Sequence, residues 1–229
     1  MIILAFDAST LACSACVMKD GKILSSRYLN TGLTHSQTLL PLIDGVLNDS
    51  EITMDEIDRI AVTVGPGSFT GIKIAVATAK GLAHKNNTHC VGVSSLHALA
   101  DGIGFHGTVC AVEDARRNML YNANFKGGIR QCEDRQISVS DLLDATEGDL
   151  LFCGDGALIA AEAAAKIGRS VHTATADRMF IRAETVASIA NRAKDDSLCT
   201  AETLAPAYLR LPQAERERIE KEQQNHGKD

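Results

Sequence analysis

Apolar residues come as short unbroken runs at the start of the chain and as helical stripes further on. Ile2 to Asp7 is a continuous apolar run closing on a carboxylate, as a strand buried on both faces would be. Ala12 to Met18 follows, then Asp20-Gly21 as a hairpin turn and Lys22 to Leu29, which together predict a three-stranded meander. Leu39, Leu40, Ile43, Val46 and Leu47 form a wide apolar stripe on a helix predicted from about Ser36 to Leu47. Pro41 interrupts that stripe and must either belong to the first turn or bend the helix. Ile60 to Val64 reads as a buried strand, followed by a Gly-rich loop and a second helix from about Gly71 to Lys85. Val91 to Val93 is a short strand ahead of a helix starting near Ser94.

The outline then repeats. Thr108 to Val112, Leu120 to Phe125 and Ile129 to Ile137 are strand candidates, with Lys126-Gly127-Gly128 as a turn and Ser140 as a cap for a short helix. Leu150 to Cys153 is a further strand, ending at Gly154-Asp155-Gly156, and an Ala-rich helix runs on to Ile167. Another helix is predicted over about Glu184 to Lys194. Three strands, helix, strand, helix occurs twice, which predicts two related α/β lobes, residues 1–104 and 105–212. Residues 213–229 are almost wholly polar and charged, and a disordered tail is expected there.

Composition narrows the class. At 229 residues, 45% hydrophobic and 23% charged, the chain can bury a full core, and with 4% aromatics that core must be aliphatic. The N-terminus carries neither a basic start nor a long apolar run, so a cytoplasmic protein with no membrane contact is expected. Seven scattered cysteines suit buried reduced thiols. Cys13 and Cys16 are spaced as C-x-x-C, but at i and i+3 of a strand they face opposite sides. A formal net charge of −6 is the wrong sign for gripping nucleic acid alone.

Gly65-Pro66-Gly67-Ser68-Phe69-Thr70-Gly71 follows a strand and opens a helix, the context in which Gly-rich loops cradle phosphate. Its spacing is not that of a Walker A loop, and Pro66 removes an N–H that a cradle would use. A tight strand-to-helix turn capped by Ser68 or Thr70 is the preferred reading over an anion site. Asp7, Ser9, Gly67, Ser68 and Lys73 are the candidate nucleotide or anion contacts. Yet no glycine follows Asp7 until Gly21, and Glu113-Asp114-Ala115-Arg116 in the second half lacks one too. Gly154-Asp155-Gly156-Ala157 is either half of an adenosine pocket or a strand-to-helix turn. His35 has Thr38 and Leu39 where a metal site would want a second histidine, and it reads as a cap or surface residue. No catalytic set and no cofactor is expected.

The helix after the Gly-rich loop is apolar most of the way round, so it needs cover on more than one side. It is either a core helix or one side of an interface. Gly71, Ala75 and Ala79 fall at i, i+4 and i+8 and offer a smooth face for another helix. With Ile72, Thr78 and Leu82 of this helix and Leu39, Leu40, Ile43, Val46 and Leu47 of the one before, they form the expected partner interface.

Several of these segments, read together, resemble one family. Asp7-Ala8-Ser9-Thr10, His35-Ser36 ahead of Leu39 to Ile43, the Gly65 to Lys73 loop, Asp114-Ala115-Arg116-Arg117, Gly154-Asp155-Gly156 and Pro206 to Arg210 occur in the order seen in the bacterial TsaB (YeaZ) proteins. The resemblance spans residues 1 to about 211 and implies an actin-like ATPase (ASKHA, ribonuclease H-like) fold, with a mixed sheet flanked by helices in each lobe. It also implies a non-catalytic role in threonylcarbamoyl modification of the adenosine beside the anticodon, in tRNAs reading codons that start with A. The related subunit TsaD would carry the metal, the nucleotide and the transfer; the ATPase TsaE would join the pair. A homodimer through the same face is expected when the partner is missing, with tRNA touched only indirectly. Two departures stand out: Lys73 where relatives often have Arg, and Asn118-Met119-Leu120-Tyr121 in place of Gly-Glu-Val-Tyr. A small-molecule kinase or ATPase of the actin-like superfamily, and a glycoprotease-like metallopeptidase, are the alternatives.

Overall fold

A computed structural model describes residues 1–209; the charged segment 213–229 and Arg210 lie outside it. Strand β1 (Ile2–Asp7) is buried along nearly its whole length because strands cover both of its edges and helices both of its faces. β2 (Cys13–Lys19) pairs antiparallel with β1, and β3 (Lys22–Leu29) pairs antiparallel with β2 across the Asp20-Gly21 turn. β4 (Arg59–Gly65) and β5 (His89–Ser94) add in parallel on the other side of β1, giving the order β3-β2-β1-β4-β5.

The second sheet follows the same plan. β6 (Thr108–Asp114) is central, β7 (Met119–Lys126) is antiparallel to it, and β10 (Leu150–Cys153) and β11 (His172–Thr173) lie parallel on its other side. The expected third strand, Ile129 to Ile137, is divided into β8 (Ile129–Arg130) and β9 (Arg135–Ser138). Between them the chain turns so that the Arg130 guanidinium meets the Asp134 carboxylate, and both groups bond Ser94 Oγ, at 3.1 and 2.6 Å. Only Ile129 and Ile137, at the two ends of this span, and Cys132 within it are apolar, so the pattern did not mark the break between Arg130 and Arg135.

Helix α1 (His35–Ser50) and helix α2 (Phe69–His84) cover one face of the first sheet. Pro41 is the seventh residue of α1, past the first turn, and so sits inside the helix. Gly45 is buried there because Arg27 lies across it on the way to Asp49, bonded through two nitrogens at 2.9 Å. Short helix α3 (Ser95–Ala100) stands between the sheets, α4 (Val139–Asp144) and α5 (Ala157–Lys166) cover the outer face of the second, and α6 (Ala183–Arg192) comes last. Ser138, not Ser140, caps α4, accepting the Asp141 N–H at 3.0 Å. The extended conformation of Ser138 lets its side chain turn back over the first turn; Ser140 is already inside it.

Three buried clusters result. One lies under α1 and α2, one under α4 and α5, and a shared one fills the space between the sheets around α3 and α6. A division at residue 104 separates the sheets but not the packing, since α6 is laid on β1 and β2 of the first sheet. Cys13 and Cys16 point to opposite faces of β2, one into each of the clusters that border it.

The small-residue row of α2 does not face outward. Gly71, Ile72, Ala75 and Ala79 are buried against the chain's own core, and so are Leu39, Ile43, Val46 and Leu47 of α1. Of the expected interface residues, Leu40 is 51% exposed, while Thr78 and Leu82 are half-buried. The stripe serves the monomer first; the outward side of the two helices includes Leu40, Pro41 and Asp44 on α1, and Lys73, Ala77, Thr78, Gly81 and Leu82 on α2. Among the described residues no helix is long and apolar enough to cross a membrane.

Candidate functional site

The central strands of both sheets end at one cleft. Its volume is about 500 Å³, and loops from each sheet line it together with Ala207, Tyr208 and Leu209. On the first side, Asp7 is fully buried and its Oδ1 accepts three bonds: Ser9 N–H at 3.0 Å, Ser9 Oγ–H at 2.6 Å and Thr63 Oγ1–H at 2.5 Å. Burial raises its pKa above the ordinary aspartate value, and the bonds from Ser9 and Thr63 offset part of that rise.

The Gly-rich loop lies directly on the Asp7 to Thr10 segment. Ser68 N–H donates to the Ser9 carbonyl at 2.7 Å, and Ser68 Oγ caps α2 by accepting the Gly71 N–H at 3.3 Å. Ser68, not Thr70, is thus the cap. Two glycines permit the approach: a Cβ on Gly71 would stand 1.9 Å from the Ala8 carbonyl oxygen, and one on Gly67 would stand 2.5 Å from that of Ser9. Gly67 also has φ +146°, which only glycine adopts without strain.

The second side supplies Glu113, Asp114 and Asp155. Asp155 Oδ1 accepts the Asp114 N–H at 2.8 Å, and burial raises the Asp155 pKa. Glu113 is 2% exposed, and neither carboxyl oxygen has a hydrogen-bond partner. Burial, then the neighbouring carboxyls of Asp155, Asp7 and Asp134, push its pKa well above the ordinary glutamate value. Arg116, Arg117 and Asn118 then turn the chain from β6 to β7 with φ of 64°, 55° and 61°. Asn118 tolerates that left-handed region better than most residues do. Arg116 pairs with Asp114 at 3.2 Å.

The rim is aromatic. Phe69 and Tyr208 stack with centroids 4.8 Å apart, and Lys73 Nζ lies 4.2 Å over the Phe69 ring. His35 is half-buried, with Nε2 2.7 Å from the Thr10 carbonyl oxygen, so it joins the loop behind the cleft instead of capping α1; Thr34 holds the cap position.

Of the residues singled out for nucleotide or anion contact, Ser9, Gly67 and Ser68 line the cleft, Asp7 lies buried behind Ser9, and Lys73 is turned onto Phe69. The sequence did not single out Thr63 or the Phe69–Tyr208 pair, and it placed Glu113 only within the Glu113-Asp114-Ala115-Arg116 counterpart of the Asp7 segment. A Thr within the apolar run Ile60 to Val64 was the available signal for the first. The pairing of residues 139 positions apart left none. Among the described residues, no group of three or more His, Cys, Asp or Glu side chains could hold a metal ion. Within the Gly-rich loop, Ser68 N–H is given to the Ser9 carbonyl and Gly71 N–H to Ser68 Oγ, so these two donors are not free for a phosphate.

Two sheets of one strand order, facing each other across a cleft at the ends of their central strands, define the actin-like ATPase fold. Component A of the (R)-2-hydroxyglutaryl-CoA dehydratase of Acidaminococcus fermentans shares this fold, at a TM-score of 0.50 and 12% identity over 86% of this chain and 99% of that one. A family model described as "TsaD: tRNA N6-adenosine threonylcarbamoyltransferase" matches residues 30–217; the chain belongs to that family, among its TsaB (YeaZ) members. It is 29% identical to the tRNA threonylcarbamoyladenosine biosynthesis protein TsaB of Bacillus subtilis, over 96% of this chain and 99% of that protein. The Escherichia coli protein of the same name is 34% identical over 55% of either chain. YeaZ from Pseudomonas aeruginosa superimposes with a TM-score of 0.75 at 26% identity, covering 91% of this chain and 99% of that one.

Proposed function

We propose that the chain is a non-catalytic subunit in the biosynthesis of threonylcarbamoyladenosine in tRNA, acting as scaffold and activator of a TsaD-like catalytic subunit, with a TsaE-like ATPase joining them. One observation carries this. The loop that would hold a nucleotide's phosphates is bonded to the chain's own Asp7 to Thr10 segment, with Ser68 N–H on the Ser9 carbonyl, and Glu113 and Asp155 stand opposite as carboxyls. The biosynthetic role itself comes from the near full-length similarity to the Bacillus subtilis protein. A kinase or ATPase would need those amides free for phosphate.

Docking to the partner falls to the outward residues of α1 and α2, with Leu40 as the largest exposed apolar side chain there. In the partner's absence a second copy would use the same face. Contact with tRNA would come mainly from the partner, given the net charge of −6. Such a complex works in the cytoplasm.

The test is a reconstituted transfer assay with a labelled threonylcarbamoyl donor and unmodified tRNA. The chain alone should transfer no label, the TsaD-like and TsaE-like proteins without it should transfer little, and the full mixture should modify the tRNA. Label transferred by this chain alone, or full transfer in its absence, would overturn the proposal.

A further inference from the structure

The first sheet ends on β5, and there the returning chain makes one isolated antiparallel bridge, between Cys90 and Cys199. Cys90 N–H donates to the Cys199 carbonyl at 2.8 Å, and Cys199 N–H donates to the Cys90 carbonyl at 2.9 Å. Such a reciprocal pair sets the two Cα atoms about 5.5 Å apart, with both side chains on the same face. Disulfides favour that same Cα separation. Both thiols are free, and both pack on the cluster beneath α1 and α2. Cys199 Sγ lies 3.3 Å from the Cys90 carbonyl oxygen, and Cys90 Sγ lies 3.9 Å from the Thr88 carbonyl oxygen. Cys90 is fully buried, while Cys199 is partly exposed and so can be reached first.

From this bridge we infer that Cys90 and Cys199 are a reversible dithiol–disulfide pair that fastens the strap of residues 195–209 to the edge of the first sheet. The oxidant is a low-molecular-weight disulfide. Cys199 as thiolate attacks one of its sulfurs, forming a mixed disulfide and releasing one small thiolate. Cys90 as thiolate then attacks Cys199 Sγ, closing the protein disulfide and releasing the second. The two protons lost by the cysteines end on the two released thiols, so one small disulfide is reduced for each protein disulfide formed. Burial raises the Cys199 pKa and pushes that of Cys90 up to about 11, which makes the exchange slow at neutral pH and faster as pH rises.

The strap reaches the cleft. Ala207 N–H bonds the Val64 carbonyl at 2.7 Å, and Tyr208 stacks on Phe69, so fixing the strap at Cys199 also steadies one wall of the cleft.

The full chain, reduced and freed of reductant, is incubated with oxidised glutathione at about pH 8 and mapped by mass spectrometry without reduction. A peptide pair joining Cys90 to Cys199, lighter by two hydrogens and reversed by reductant, is the expected result. Cys90→Ser should retain glutathione on Cys199, and Cys199→Ser should give no link. Tryptic cleavage after Lys194 should slow by about tenfold in the oxidised chain, because local opening of the strap is suppressed. Glutathione that stays on Cys199 of the unsubstituted chain, a Cys199 that never reacts, or a link from Cys199 to another cysteine would each overturn the inference. The map of the unsubstituted chain decides even if a variant fails to fold.

Discussion

Asp7 and Glu113 stand at the ends of the central strands of two sheets built to one plan, and their surroundings differ. Asp7 receives three donors from Ser9 and Thr63 on one oxygen and serves as a staple between β1 and β4. Glu113 receives none on either oxygen. A buried carboxyl with donors strengthens the fold, and one without them is a standing cost unless it stays protonated. The same topology therefore supports two roles: the first lobe has turned its strand end into structure, while the second keeps an uncompensated acid facing it. In the same way the outer helices diverge, with 16 residues each in α1 and α2 against 6 and 10 in α4 and α5.

The contrast can be broken most severely on the first side. Gly71→Ala puts a Cβ where the Ala8 carbonyl oxygen now stands, and neither backbone segment can yield without moving β1 or α2. A loss of about 3 kcal/mol in urea-induced unfolding is expected. Asp7→Ala leaves the Ser9 and Thr63 hydroxyls without an acceptor in a dry site and should cost about 2 kcal/mol in the same measurement.

Glu113→Gln sharpens the comparison through pH. The folded chain holds the Glu113 proton more tightly than the unfolded chain, so the stability it contributes is complete below the ordinary value of 4.5 and is lost as pH rises through the folded value. Unfolding titrations across that window should show the wild type losing at most about 1.4 kcal/mol per pH unit to this group, a slope that Glu113→Gln removes. Asp7 has the same sign, softened by its three bonds.

The smallest effect on stability and the clearest on assembly should come from the outer faces. Leu40→Asp and Leu158→Asp both alter exposed side chains, 51% and 63% accessible, and each should change stability by no more than about 0.5 kcal/mol. In a pull-down with the TsaD-like subunit, Leu40→Asp should lose binding and Leu158→Asp should keep it.

Much of this was legible in the sequence, because apolar runs report burial directly. β1, β2, β4 and β10, the hairpin at Asp20-Gly21 and the repeat of the whole pattern could be read from spacing alone. The direction of burial could not. Periodicity shows that α2 is apolar nearly all round, but not that Gly71 and Ala75 are already taken up by the chain's own core. Nor does local sequence reveal that α6 crosses back to β1, or that Tyr208 reaches Phe69. Those contacts are set by the return of the chain, and no residue near either end encodes them. The site was legible in its parts, Asp7-Ala8-Ser9-Thr10 and Gly65 to Gly71, while the bond of Ser68 to Ser9 that joins them needed three dimensions.

That bond underlies the proposal that the chain alone does not hold a nucleotide by its phosphates. Calorimetric titration of the isolated, folded chain with magnesium-ATP tests it most directly. No binding heat up to millimolar ATP is expected, in the wild type and in Glu113→Gln alike. A saturable one-to-one isotherm with a micromolar Kd, abolished by a substitution at Gly67 or Ser68, would contradict it.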